Sequence, residues 1–172
     1  MTPEFSRPDR VDTIGDRARA IGIAADEAER AALAQRFDLV AIERLDAQLS
    51  VRREGGGITV TGTVVAAVVQ ACSVTDDPIA VEIEEPVALR FVETLDLADE
   101  IELEETALDT VEIEDGIIDL GEAAAETMAL ALDPFPRGPN AAAALRAAGV
   151  ISEEELVPYN ALAEALKAKL KK

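Results

Sequence analysis

The chain has 172 residues, with 35 acidic and 16 basic groups, one cysteine, no histidine and a net charge of −19. That composition excludes an internal disulfide and removes the commonest general base and metal ligand. It also argues against nonspecific nucleic-acid binding by the whole chain, because such affinity comes mainly from Lys and Arg neutralising phosphates.

At this length one domain with a tail or small appendage is expected. Phe5, Phe37, Phe91, Phe135 and Tyr159 are the only aromatics, so the core must be built from small and branched side chains. No stretch approaches the roughly 20 apolar residues that span a bilayer. The opening MTPEFSRPDR lacks an apolar core and does not read as a signal peptide, so a cytoplasmic setting without a membrane partner is expected.

In chain order, Glu4–Arg7 reads as a short strand ended by Pro8, and Arg17–Ile23 as a weaker one. Asp26 and Glu29 form a capping-box pattern opening a helix that runs to about Arg36, anchored by Leu33 and Phe37. The period then changes to two: Leu45, Ala47, Leu49 and Val51 alternate with polar residues, as on a strand with one wet face. Gly55-Gly56-Gly57 reads as a hairpin turn. Beyond it Ile58, Val60, Val64 and Val68 face one way, and past Val65 both faces turn apolar, which marks a central strand. Ser73–Asp77 is a second turn. Ile79, Val81 and Ile83 resume the alternation, and Val87, Leu89 and Phe91 keep its parity across Pro86. That proline suggests an edge position or a local break. The expectation is a three-stranded antiparallel meander over roughly 39–54, 58–72 and 78–92.

Residues 93–115 hold 11 acidic groups and no basic one, and read as an exposed, partly ordered loop with a short strand at Val111–Ile113. Asp119 then caps a helix, with Glu122 placed to return a bond to the cap's own N–H. Leu120, Ala124, Met128 and Ala131 recur at helical spacing, and Leu130 and Leu132 widen the apolar surface, which predicts cover on more than one side. Asp133-Pro134 stops the helix. Phe135 follows between two prolines in an extended stub ending at Arg137. That stub reads either as a rigid exit from a core helix or as a contact site presenting Phe135 and Arg137. After Gly138 an alanine-rich run leads to a small capping box at Ser152–Glu155. An amphipathic helix over Asn160–Leu170 follows, with Leu162, Leu166 and Leu170 on one face and a lysine-rich end. The fold class expected is therefore α+β, with helices packed on an antiparallel sheet and a helical C-terminal tail. The organisation expected is an α+β domain over 1–138 and an appendage over 139–172.

Charge is unevenly placed. Residues 54–136 carry 21 acidic groups against one basic, Arg90, whereas residues 1–53 carry 10 against 9. Such a middle repels phosphate and attracts a basic protein. Catalytic signals are missing. Cys72 has no histidine to activate it and reads as a buried strand residue. The triple glycine lacks the lysine and helix of a phosphate loop. The carboxylates have no calcium-loop spacing and read as a solvated surface. No catalytic, cofactor or metal residue is assigned, no small-molecule substrate is implied, and the protein is not expected to be an enzyme.

The segment IDLGE, the later LALDPFPR, and the stretches EFSRPDRV, GGGITVTGTVVA, QACSVTDDPI and PYNALAEALKAKL resemble counterparts in the YceD family of bacterial proteins. The resemblance covers nearly the whole chain, and its 116–137 block is the most specific part. Many relatives carry C-x-x-C-L-x-P on the meander. Here Cys72 and Pro78 match, but Thr75 stands at the second cysteine, and the cysteines that some relatives carry after the helix are absent. A zinc site therefore does not transfer, since one thiolate cannot build a tetrahedral centre. The resemblance implies a role in accumulation of large-subunit ribosomal RNA and ribosome assembly, with no enzymatic activity.

Two binding readings follow. In the first, the protein binds a basic ribosomal protein or a large-subunit precursor through Asp99, Glu100, Glu102, Glu104 and Glu105, with Phe135 and Arg137 as further contacts. In the second, it binds RNA directly through a patch of Arg7, Arg10, Arg17, Arg19, Arg44, Arg52 and Arg53.

Overall fold

A computed structural model describes residues 3–93, 109–113, 115–150 and Lys167. The helix over Asn160–Leu170, apart from Lys167, and the capping box at Ser152–Glu155 lie outside the described residues. The protein is α+β: seven strands, β1 to β7, and three helices, α1 to α3, are described.

Long antiparallel strands form the frame. β3 (Ala41–Glu54), β4 (Gly57–Ala71) and β5 (Pro78–Val92) pair in succession. The β3–β4 hairpin closes at Gly55 and Gly56, with φ of 56° and 81°. Two consecutive positive φ values are what a two-residue hairpin loop demands and what glycine supplies without strain. Along β4, Ile58, Val60, Val64, Ala66 and Val68 are buried, and they meet Leu45, Leu49 and Val51 of β3 and Ile83, Val87 and Phe91 of β5 in the core. The shared parity of Ile83, Val87 and Phe91 survives Pro86, which pairs with Thr63 inside the strand.

The sheet is wider than three strands, and it is mixed. Its order is β2-β3-β4-β5-β6, with β4 in the middle. β2 (Arg19–Ala24) adds antiparallel to β3, two residues later than the expected start at Arg17. β6 (Asp109–Glu112) adds parallel to β5, opposite Leu89–Val92. The expected strand at Val111–Ile113 thus begins earlier, and Ile113 only donates its N–H to the Val92 carbonyl at 2.7 Å. A wholly antiparallel sheet was expected because period two gives facing and not direction.

The expected strand at Glu4–Arg7 is also displaced. β1 is Pro8–Arg10, paired antiparallel with β7 (Ile117–Asp119) in a separate two-stranded sheet. The backbone before Pro8 is committed elsewhere: Arg7 N–H donates to the Asp119 carboxylate at 2.7 Å, and the Arg7 carbonyl accepts from Leu120 N–H. Pro8 stands at the first position of the strand, where a missing N–H is tolerated.

α1 (Glu27–Arg36) opens with the expected reciprocal box: Glu29 N–H donates to Asp26, and Asp26 N–H donates to Glu29. Leu33 is fully buried, and Phe37 packs against the core. α2 (Leu120–Leu130) starts at the Asp119 cap, which accepts from Gly121 and Glu122 N–H. Glu122 does not complete a box there, because its carboxylate is held bidentately by Arg36 at 2.5 and 2.9 Å. Leu120, Ala124 and Met128 are buried and Leu132 packs against the core, whereas Leu130 is 86 % exposed, so the widened apolar surface is covered at Leu132 and open at Leu130 among the described residues. The alanine-rich run forms α3 (Ala141–Ala147), with Ala141 buried against the body.

Candidate partner-binding surface

The proline stub is positioned by the end of β4 and its turn. The Gln70 side chain donates to the Asp133 carbonyl at 3.0 Å, and Ser73 N–H donates to the Pro136 carbonyl at 2.8 Å. Asp133 in turn accepts from Phe135 N–H at 2.8 Å, a short side-chain-to-backbone turn. Further on, the Asn140 amide donates to Asp77, and Gly138 N–H points at the Cys72 sulfur at 3.4 Å. Strand end and stub are thus stitched along their length, while Phe135 remains 72 % exposed and Arg137 exposed. An exposed aromatic on a backbone pinned at both sides loses little entropy on contact.

Between this stub, the α1–β3 loop and the end of β4 lies a cleft of about 480 Å³, lined in part by Phe37, Leu39, Leu132 and Pro134. Asp38, Asp76 and Asp133 also line it, and among the described residues its lining holds no Lys or Arg. A smaller groove of about 260 Å³ runs between α2 and β5, flanked by Glu85, Glu126 and the exposed Leu130.

Cys72 is fully buried one residue beyond β4. Its thiol is drawn down to about 7, first by the Thr75 hydroxyl, then by the N–H groups of Gly138 and Val74, with burial opposing them. Thr75 has one proton and two claims on it, because it also donates to Asp77 at 2.8 Å. Asn140 and then Thr75 hold the Asp77 carboxyl below its ordinary value. Among the described residues no group of three Cys, Asp or Glu is placed to hold a metal ion.

The arginines considered for RNA are mostly spoken for. Arg7 pairs with Glu29, Arg10 with Asp12, Arg19 with Asp9, Arg44 with Asp46 and Glu82, and Arg52 with Glu54. Arg53 donates to the carbonyls of Ile14 and Val11 instead. Only Arg17 of that set has no partner among the described residues. The structure therefore brings Phe135 and Arg137 to one stub but does not assemble the arginines into a free patch. Asp99, Glu100, Glu102, Glu104 and Glu105 lie outside the described residues.

Sequence reading missed Asp38, Asp76 and the cleft they edge. The available signal was slight: each aspartate falls just after a helix or inside a turn, where a short polar residue tolerates a left-handed backbone. Nothing local states that the two turns face each other across a stub from residues 133–136.

An acidic α+β protein with an apolar, carboxylate-edged cleft is the class these features define. Residues 60–165 match the family model for large ribosomal RNA subunit accumulation protein YceD. The chain belongs to that family, and its role lies in accumulation of large-subunit ribosomal RNA. No curated protein and no solved structure matches it. Among the described residues no helix is long and apolar enough to cross a membrane.

Proposed function

We propose that the protein supports large-subunit rRNA accumulation without catalysis, in the cytoplasm, by holding a basic ribosomal protein or a basic face of a precursor particle against its acidic middle. The observation that carries this reading is the unequal fate of the charges. The N-terminal arginines are largely neutralised by neighbours, whereas Glu84, Glu85, Glu112 and Glu126 have no ion pair among the described residues. What remains for a partner on the sheet and α2 is mainly negative, which suits a basic protein and repels phosphate. The acidic 93–115 segment adds to the same sign. Density of like charge works against compactness, so a counter-charged partner relieves a real cost.

The test is affinity capture from cells at rising salt, with the captured components identified. Replacing Asp99, Glu100, Glu102, Glu104 and Glu105 by Asn and Gln removes charge at nearly constant size. Capture of ribosomal proteins or precursor should fall in that variant. Capture by the parent should weaken as the Debye length shortens to about 8 Å. Unchanged capture by the variant removes the acidic segment from the reading. Recovery of RNA alone, with a steep negative salt slope, replaces it by direct phosphate contact.

A further inference from the structure

The cleft beneath the proline stub combines an apolar floor with an uncompensated acidic edge. Phe37, Leu39 and Leu132 are half-buried there, and Asp38, Asp76 and Asp133 are exposed. None of the three aspartates has an ion pair among the described residues. Asp38 and Asp76 sit at φ of 53° and 58°, where most side chains are strained and Asp or Asn is tolerated. That backbone calls for a short polar residue or glycine; it does not call for a charge. Asp133 needs only one oxygen to accept from Phe135 N–H, and an amide oxygen would serve as well. The local structure thus accounts for the size of these side chains and leaves their three negative charges unused.

We propose that this cleft is the anchor site for a basic, partly apolar segment of a protein partner, an inference that rests on the basic-partner reading above and narrows it to one place. A Lys or Arg side chain suits the geometry because its aliphatic stem can lie on Phe37, Leu39 and Leu132 while its head meets the carboxylates. Phe135, flanked by the lining residues Pro134 and Pro136, supplies an aromatic contact of the kind that dominates protein interfaces. The occupant is a protein segment and not RNA, since three unpaired carboxylates repel a phosphate backbone. Arg137, at the end of the stub, is exposed with no ion pair among the described residues and can meet an acidic residue of the same partner.

The test uses the full chain, isotopically labelled, and a short fluorescent peptide of alternating arginine and leucine. The same peptide with glutamate for arginine is the control. Arginine-peptide binding should shift backbone resonances of Asp38, Leu39, Ser73, Asp76 and Asp133, and the glutamate peptide should not bind. The triple variant D38N/D76N/D133N should weaken the arginine peptide about tenfold, as expected for three solvent-exposed ion pairs. Its melting curve should match the parent, because Asn keeps the left-handed backbone and the turn bond. F135A, which alters an exposed side chain, should also weaken binding, and it decides the matter if the triple variant melts lower. Shifts confined to the α2–β5 groove around Glu85 and Glu126, with full affinity in both variants, overturn the cleft and leave the basic-partner reading standing. No binding of the arginine peptide at all overturns both.

Discussion

Gly121 is the position where the first turn of α2 meets the N-terminal segment, and replacing it by alanine tests how that contact is made. A Cβ built there would lie 2.2 Å from the Phe5 carbonyl oxygen, 2.9 Å from its carbon and 3.1 Å from Arg7 N. These are backbone atoms, so no side-chain rotation relieves the overlap. Helix and segment must separate by roughly an ångström, in the range where overpacking costs about 1–3 kcal/mol. The separation also strains what the segment anchors. Phe5 is fully buried, Arg7 N–H bonds the Asp119 cap, and the Arg7 carbonyl accepts from Leu120. Weakening two such bonds costs about 1 kcal/mol each. Against this, alanine in a helix recovers about 0.5–1 kcal/mol relative to glycine. The balance is a loss of about 2–4.5 kcal/mol for Gly121→Ala. Equilibrium denaturation should show it as a lower midpoint at unchanged slope, and thermal melting as a fall of roughly 5–15 °C. A midpoint equal to or above the parent's would mean that helix propensity outweighs the contact, and that Phe5–Arg7 does not lie against α2 as described.

Met128 is fully buried on α2, so Met128→Asp should destabilise by about 3 kcal/mol through an unpaired buried carboxylate, and coincident melts of variant and parent would refute its placement. Cys72→Ala should leave rRNA accumulation intact at a modest cavity cost, and loss of function in a folded variant would give the thiol a chemical role. The Cys72 thiol itself, followed by thiolate absorbance against the alanine variant, should titrate near 7 and not near the ordinary value of about 8.5. A folded value below the unfolded one favours the ionised folded state. Parent stability relative to Cys72→Ala should therefore rise with pH through that interval and lose the advantage as pH falls through 7. A midpoint at or above the ordinary value would mean that burial outweighs the hydrogen bonds.

Local signals along this chain were legible wherever a period or a cap repeats within a few residues. The two-residue alternation from Leu45 to Phe91, the Gly55-Gly56 turn and the Asp26–Glu29 box each depend on neighbours in sequence, and each forms where its residues stand. The extended stub bounded by Pro134 and Pro136 is legible for the same reason, whereas the 72 % exposure of Phe135 on it decides between the two readings of that stub only in the structure. Long-range choices were not. Glu122 satisfies the spacing of a capping box, yet Arg36, far away in sequence, offers it a bidentate charged partner, and that stronger bond prevails. Leu130 satisfies the helical pattern of a second apolar face, but nothing described packs there. The parallel addition of β6, the placement of Pro8 opposite Asp119, the pairing of the arginines with carboxylates and the meeting of Asp38, Asp76 and Asp133 around one cleft all depend on distance in space. Hydrophobic period states which side of an element turns inward. Only packing decides what it meets there, because burial energy follows area and is indifferent to which residues supply it.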